Sequence, residues 1–195
     1  MKFLRWLASA SAISLALVFL FTPSTASATP SIVYYCAITS SSSHTAPASG
    51  TVLVSCPSAI PANTLQAGDT IEWEVEGEES ANSSGGGTTG YKFFLSSNDM
   101  IGVNNGCQST LANDSHTFVY TYRGWDTLFS NGSSGTSGLA YECLMTVNGT
   151  TTPFRGDNNP GFDTTVALTP EIVAGRNFPS GSTTQVFTFI VKIIR

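Results

Sequence analysis

The sequence predicts an all-β protein, an immunoglobulin-like antiparallel β-sandwich, on three observations. Charged residues make up only 11% of the 195, far below the roughly 25% of an ordinary soluble domain. The polar share is instead Ser, Thr, Gly and Asn, which suit strands and turns and disfavour helices. Short segments alternate apolar and polar side chains with period two, and none shows a helical apolar period with caps.

The chain opens with an export signal. Lys2 and Arg5 form a short basic region, Trp6 to Thr22 is apolar and uncharged, and Ala26-Ser27-Ala28 offers the small residues of a cleavage site. Residues 1–28 are therefore expected to be removed, leaving 29–195 as one sandwich domain. Losing the two cations Lys2 and Arg5 takes the formal charge from −5 to −7. No later apolar stretch is long enough to span a bilayer, so the mature chain is expected in the periplasm, at the cell surface or secreted.

The expected strands follow in order. In Ser31 to Ile38, Ile32, Tyr34, Cys36 and Ile38 share a face. In Thr51 to Cys56, Val52, Val54 and Cys56 do so. Thr70 to Glu76 alternates most regularly, with Ile71, Trp73 and Val75 on one side and Glu72, Glu74 and Glu76 on the other. Tyr91 to Leu95, Thr117 to Tyr122, Leu139 to Val147, Thr164 to Leu168 and Gln185 to Ile194 complete the set. Ser80 to Gly90, Asn104 to Gly106, Asn131 to Gly138 and Gly156 to Gly161 are rich in turn formers and separate them.

Composition excludes several function classes. Nucleic-acid binding through a basic patch needs clustered Lys and Arg, and the chain has eight in all. A nucleophilic hydrolase needs a Ser or Cys beside a positioned base. Of the two His, His44 follows the run Ser40 to Ser43 in an expected mobile loop, and His116 lies beside Asp114 and Ser115. No G-x-S-x-G elbow occurs, nor a Gly-rich phosphate loop with a following Lys. Zinc fails on ligand number and spacing. No cofactor is expected and the chain reads as a non-enzyme.

Two acidic features deserve separate weighing. Glu72, Glu74 and Glu76 stand ~7 Å apart on one strand face, with Glu78 and Glu79 extending the patch. Such a row could hold Ca²⁺ or shift a pKa, but a solvated sheet face explains it more simply. Asp157 to Asp163 spaces oxygen ligands as a calcium loop does, yet Pro160 and the missing terminal Glu favour a plain turn. Sequons at Asn82, Asn113, Asn131 and Asn148 are within chance for so Ser/Thr-rich a chain. Four cysteines, Cys36, Cys56, Cys107 and Cys143, in an oxidising compartment imply two disulfides, with three connectivities open.

Two stretches go beyond a generic sandwich. Phe118 to Gly138 reads FVYTYRGWDTLFSNGSSGTSG and Ile172 to Ile194 reads IVAGRNFPSGSTTQVFTFIVKII. Together they resemble the spore coat protein U-type pilins of the archaic chaperone–usher pathway. That family pairs a Tyr-rich strand end with an aromatic and Gly-rich run. It closes on a P-A-G-Q-like turn, then P-x-G, then an alternating terminal strand; Val173-Ala174-Gly175-Arg176 and Pro179-Ser180-Gly181 stand in those places. The resemblance covers about a third of the mature chain. It implies a Cys36–Cys56 disulfide, with Cys107–Cys143 as an added bridge. It also implies a sandwich lacking its last strand, with a partner-strand groove along Phe187, Phe189, Val191 and Ile193, filled first by a periplasmic chaperone and then by a neighbouring subunit. The carboxylate at Arg195 would anchor to the chaperone. Partners would be that chaperone, an usher and other pilus subunits.

Three departures from the family matter: only the seven residues Thr29 to Tyr35 precede Cys36, short for a polymerising donor strand; the Ala59 to Gly90 region is unusual in its acidic strand; and Cys107 with Cys143 would form an additional bridge. A second pattern, Cys56, Trp73 and Tyr141-Glu142-Cys143, is similar to that of true immunoglobulin domains, and implies Cys56–Cys143 and Cys36–Cys107 instead. The expected function is thus an exported pilus or fimbrial subunit. A self-sufficient secreted binding domain for carbohydrate or protein is the alternative, and a small glycosidase-type hydrolase the third reading.

Overall fold

The alternation that begins at Thr70 continues unbroken to Ser80, so one strand carries an inner row of Ile71, Trp73, Val75, Gly77 and Glu79 under a polar outer one. The same logic repeats along the chain in the computed structural model, which describes residues 29–80, 87–100, 107–111, 117–147, 150–178 and 180–195. The signal sequence, His116 and the sequons at Asn82, Asn113 and Asn148 lie outside these residues. In order the strands are β1 (Ile32–Ile38), β2 (Ser42–Thr45), β3 (Val52–Ser55), β4 (Thr70–Ser80), β5 (Gly87–Leu95), β6 (Asn98–Asp99), β7 (Cys107–Leu111), β8 (Thr117–Ser130), β9 (Gly135–Val147), β10 (Thr150–Asn158), β11 (Gly161–Phe162), β12 (Pro170–Ala174) and β13 (Thr183–Ile194).

They form two antiparallel sheets. The large one runs β1-β13-β4-β8-β9-β10, with β2 also on β13 and β11 on β9; the small one runs β3-β12-β5-β6, with β7 also on β5. This is an all-β sandwich, as the composition predicts. Its core is strongly aromatic. Trp73 of β4 stacks on Phe93 of β5 with ring centres 4.7 Å apart, and meets Tyr122 edge-on. Tyr91 stacks on Tyr120 at 4.2 Å. Offset and edge-to-face arrangements of this kind add to simple burial. Gly124 of β8 faces Trp73 so closely that a Cβ there would overlap the indole.

Several expectations are corrected. Thr164 to Leu168 is a turn, not a strand: the Asp163 carboxylate accepts hydrogen bonds from the Thr165 amide and hydroxyl, at 2.8 and 2.6 Å, and closes the chain on itself. The strand of that region is β12, which begins at Pro170. Ser42–Thr45 is a short strand beside β13 and not a loop. Gly87–Gly90 and Gly135–Gly138, expected in turns, are paired strand residues. Glu79 does not extend the outer acidic row. It shares the parity of Ile71, Trp73 and Val75, and is buried.

The largest correction concerns β13. Its register partners are Ile32 to Ile38 of β1 on one edge and Thr70 to Ser80 of β4 on the other. The chain's own strands thus occupy the position at which a donated strand was expected, and β13 has no open groove. A bulge between Val186 and Thr188 also turns Phe187 off the inner face. Phe189, Val191 and Ile193 are fully buried, whereas Phe187 is half-buried. Arg195 is engaged within the chain. Its guanidinium donates to both carboxylate oxygens of buried Asp69, at 2.9 and 2.8 Å, and to the Thr64 carbonyl.

Cys36 of β1 and Cys56, just past β3, are disulfide-bonded with Cα atoms 6.1 Å apart, tying the edge of one sheet to the edge of the other. The Cys56–Cys143 pairing of immunoglobulin domains is therefore not formed. Cys143 is itself disulfide-bonded; the side chain of Cys107 lies outside the described residues.

Candidate functional site

Strand pairing sorts the outward side chains of the large sheet into rows. One row reads Ile190, Glu74, Arg123, Glu142 and Arg155 across β13, β4, β8, β9 and β10. The next reads Lys192, Glu72 and Trp125 across β13, β4 and β8. Directly opposite residues on neighbouring strands have side chains in contact range, so the two rows make a continuous polar surface around one exposed indole.

Glu142 sits between two arginines. Arg123 donates through Nε and Nη2 to Oε2, at 3.2 and 2.6 Å. Arg155 donates through the same two atoms to Oε1, at 3.0 and 2.8 Å. These bonds, Arg123's foremost, hold the Glu142 carboxyl below its usual range. The Arg123 guanidinium also lies 5.6 Å from the centre of the Trp125 ring, within the reach of a cation–π contact. Trp125 remains 40% exposed.

Between the rows lies a shallow depression of about 360 Å³, lined by Glu72, Glu74, Arg123, Trp125, Ile190 and Lys192 over a floor that includes Gly124 and Trp73. Among the described residues, Glu72, Glu74 and Lys192 make no ion pair. Glu76, the third member of the acidic row, accepts a hydrogen bond from Thr188 at 3.1 Å. No group of three or more His, Cys, Asp and Glu among the described residues could hold a metal ion. His44 is bonded to the Leu53 carbonyl at 2.8 Å.

A second polar group lies inside the sandwich. Tyr91 donates to the Glu79 carboxylate at 2.8 Å and bonds to the Thr184 hydroxyl at 2.9 Å. Burial raises the Glu79 carboxyl to about 7, against hydrogen bonds from Tyr91 and Thr89 that pull it down. Burial likewise raises Asp126 to about 6. Both groups are closed off from solvent, which makes them structural.

The outer site was only partly visible in the sequence. Glu72 and Glu74 stood out by alternation. Arg123 and Trp125 keep the outward parity of Thr121, so extending the strand by three residues finds them. Glu142, Arg155 and Lys192 join only through pairing across five strands, which no local pattern encodes.

No protein-family model matches the chain, and no curated protein does. Among solved structures, arcelin-5, a lectin-like defence protein from Phaseolus vulgaris, aligns with a TM-score of 0.41 at 7% identity, covering 85% of this chain and 99% of that one. The lectin UEA-II in complex with galactose gives 0.37 at 9% identity, over 84% and 99%. A legume lectin-like domain from Entamoeba histolytica gives 0.29 at 7%, over 80% and 88%. Likeness at this level assigns neither residues nor a ligand to this chain.

Proposed function

We propose that the chain is an exported, non-enzymatic β-sandwich that folds without a donated strand and acts as a binding module through the outer face of its large sheet. The observation that carries this reading is the pairing of β13 on both edges by β1, β2 and β4. A strand filled on both sides needs no chaperone to cover it.

A second reading, the pilus-type subunit, is favoured by one observation: the Cys36–Cys56 bond lies where the resemblance put it. In that reading a chaperone and usher handle the chain in the periplasm, and β1 must leave β13 to admit a partner strand. One experiment separates the two. The chain from Thr29 to Arg195 is produced alone in an oxidising compartment, with and without a donor strand fused after Arg195. The binding-module reading expects a soluble monomer with cooperative unfolding and no gain from the fusion. Aggregation or proteolysis that the fused strand cures would establish the pilus reading in its place.

A further inference from the structure

We propose that the depression between β4, β8 and β13 binds a neutral saccharide, with a sugar ring laid against Trp125 and its hydroxyls bonded to Glu72, Glu74 and Lys192. This rests on the binding-module reading and adds the class of ligand.

The charge of the lining selects the ligand's charge. Two carboxylates, Glu72 and Glu74, face one ammonium, Lys192, and one guanidinium, Arg123. An anionic ligand meets the carboxylates and a cationic one meets the two bases. A hydroxyl both donates and accepts, so a polyol satisfies carboxylate and ammonium together without bringing a charge. Glu72, Glu74 and Lys192 are all without an ion-pair partner among the described residues, which leaves their hydrogen-bonding capacity for a ligand. Arg123 is different: its Nε and Nη2 already donate to Glu142.

The apolar part of the site selects the ligand's shape. Trp125 is the one large aromatic of the lining with substantial exposure, and Trp73 beneath it is 2% exposed. A pyranose carries its C–H bonds on one face and its hydroxyls around the rim, which matches an indole ringed by polar groups. The volume of about 360 Å³ is at the small end of ligand sites, suited to one or two sugar rings. The site is also preorganised. The row Arg155–Glu142–Arg123 fixes the guanidinium that packs against Trp125, so less ordering is required when ligand arrives.

The test uses the chain from Thr29 to Arg195, fused to the donor strand if folding proves to need it. The probes are neutral oligosaccharides of glucose, mannose, galactose, xylose and N-acetylglucosamine in α and β linkages, with oligogalacturonate and hexalysine as charged counter-probes. Binding is followed by retention on immobilised probe and by tryptophan emission. At least one neutral oligosaccharide should bind. Trp125→Ala should weaken it by about tenfold or more with an unchanged melting midpoint. Trp125→Phe should retain part of the affinity, and Glu72→Gln with Glu74→Gln should weaken it too. A folded protein that ignores every neutral probe, prefers a charged one, or binds equally well after Trp125→Ala overturns the proposal. Dependence on the fused strand would instead count against the binding-module reading, and the saccharide assay would still decide this one.

Discussion

Glu79 shows what a single side chain does to the energetics of the sandwich. Its carboxyl sits near 7 when folded and near its ordinary value of 4.5 when unfolded. The folded state therefore holds the proton more tightly. This contribution is fully present below about pH 4.5 and is lost as pH rises toward 7. The difference amounts to about 3 kcal/mol. Asp126, raised to about 6, acts with the same sign over a narrower window. Asp69 acts in reverse. Burial pushes its carboxyl up, but Arg195 and the Gln66 amide outweigh that and leave it below its usual range. Its contribution is present above about pH 4 and fades as pH falls further. The melting temperature of the wild type should decline between pH 5 and pH 8, and Glu79→Gln should remove much of that decline. Parallel pH profiles for the two proteins would mean that the carboxyl is hydrated. Glu79 was legible by parity, since it continues the odd-numbered inner row of Ile71, Trp73 and Val75. The run of acidic neighbours hid it, because a carboxylate is expected outside unless its burial is known.

At the level of elements, alternation was a good guide to existence and a poor one to extent. β1, β3, β4 and β13 stand close to where period two put them. β8 runs to Ser130 and β9 starts at Gly135 because each is paired along its length, and partners stabilise what propensity alone does not. β10 was invisible for a specific reason. Pro153 and Gly156 argue against a strand, but β10 is the edge of the large sheet, the place where Pro is tolerated. Missing β10 also meant missing Arg155, and with it the clamp on Glu142. The fit of β8 to β4 gives a prediction at this scale. Gly124→Ala would drive a methyl into Trp73, and overpacking of this kind costs about 1–3 kcal/mol. Chemical denaturation should register that loss, together with an altered near-ultraviolet dichroism of the indole. Gly161→Ala is the control. Its Cβ would meet only the Gly135 carbonyl, at an ordinary 3.6 Å, and stability should barely move.

For the whole molecule, the disulfide matters more than its position near an edge suggests. Cys36 and Cys56 are separated by 20 residues, and closing a loop of that size stabilises by roughly 3 kcal/mol. Replacing both by Ser should lower the unfolding free energy by about 2–4 kcal/mol while leaving the Glu142 clamp and Trp125 in place, since Arg123 and Trp125 lie on β8, Glu142 on β9 and Arg155 on β10, none of which pairs with β1. If the double variant lost ligand binding in step with stability, the outer face would depend on the anchoring of β1. The architecture was legible as a sandwich from composition and alternation. The closure of its last edge was not, because whether β13 meets a foreign strand or β1 turns on where the N-terminal segment folds back.

That closure also fixes how the molecule would respond to a pulling force. Ser31 and Arg195 exchange two backbone hydrogen bonds, each 2.9 Å long, and β1 runs antiparallel to β13 from that point. Tension applied between these two residues would unzip the pair, loading one hydrogen-bonded rung at a time instead of shearing all of them together. Such an opening proceeds at low force, but it halts at Cys36. From there the load crosses the covalent bond to Cys56, so Ala37 to Ser55, with β2 and β3, is bypassed and stays slack while the bond is oxidised. Reduction would release that hidden length.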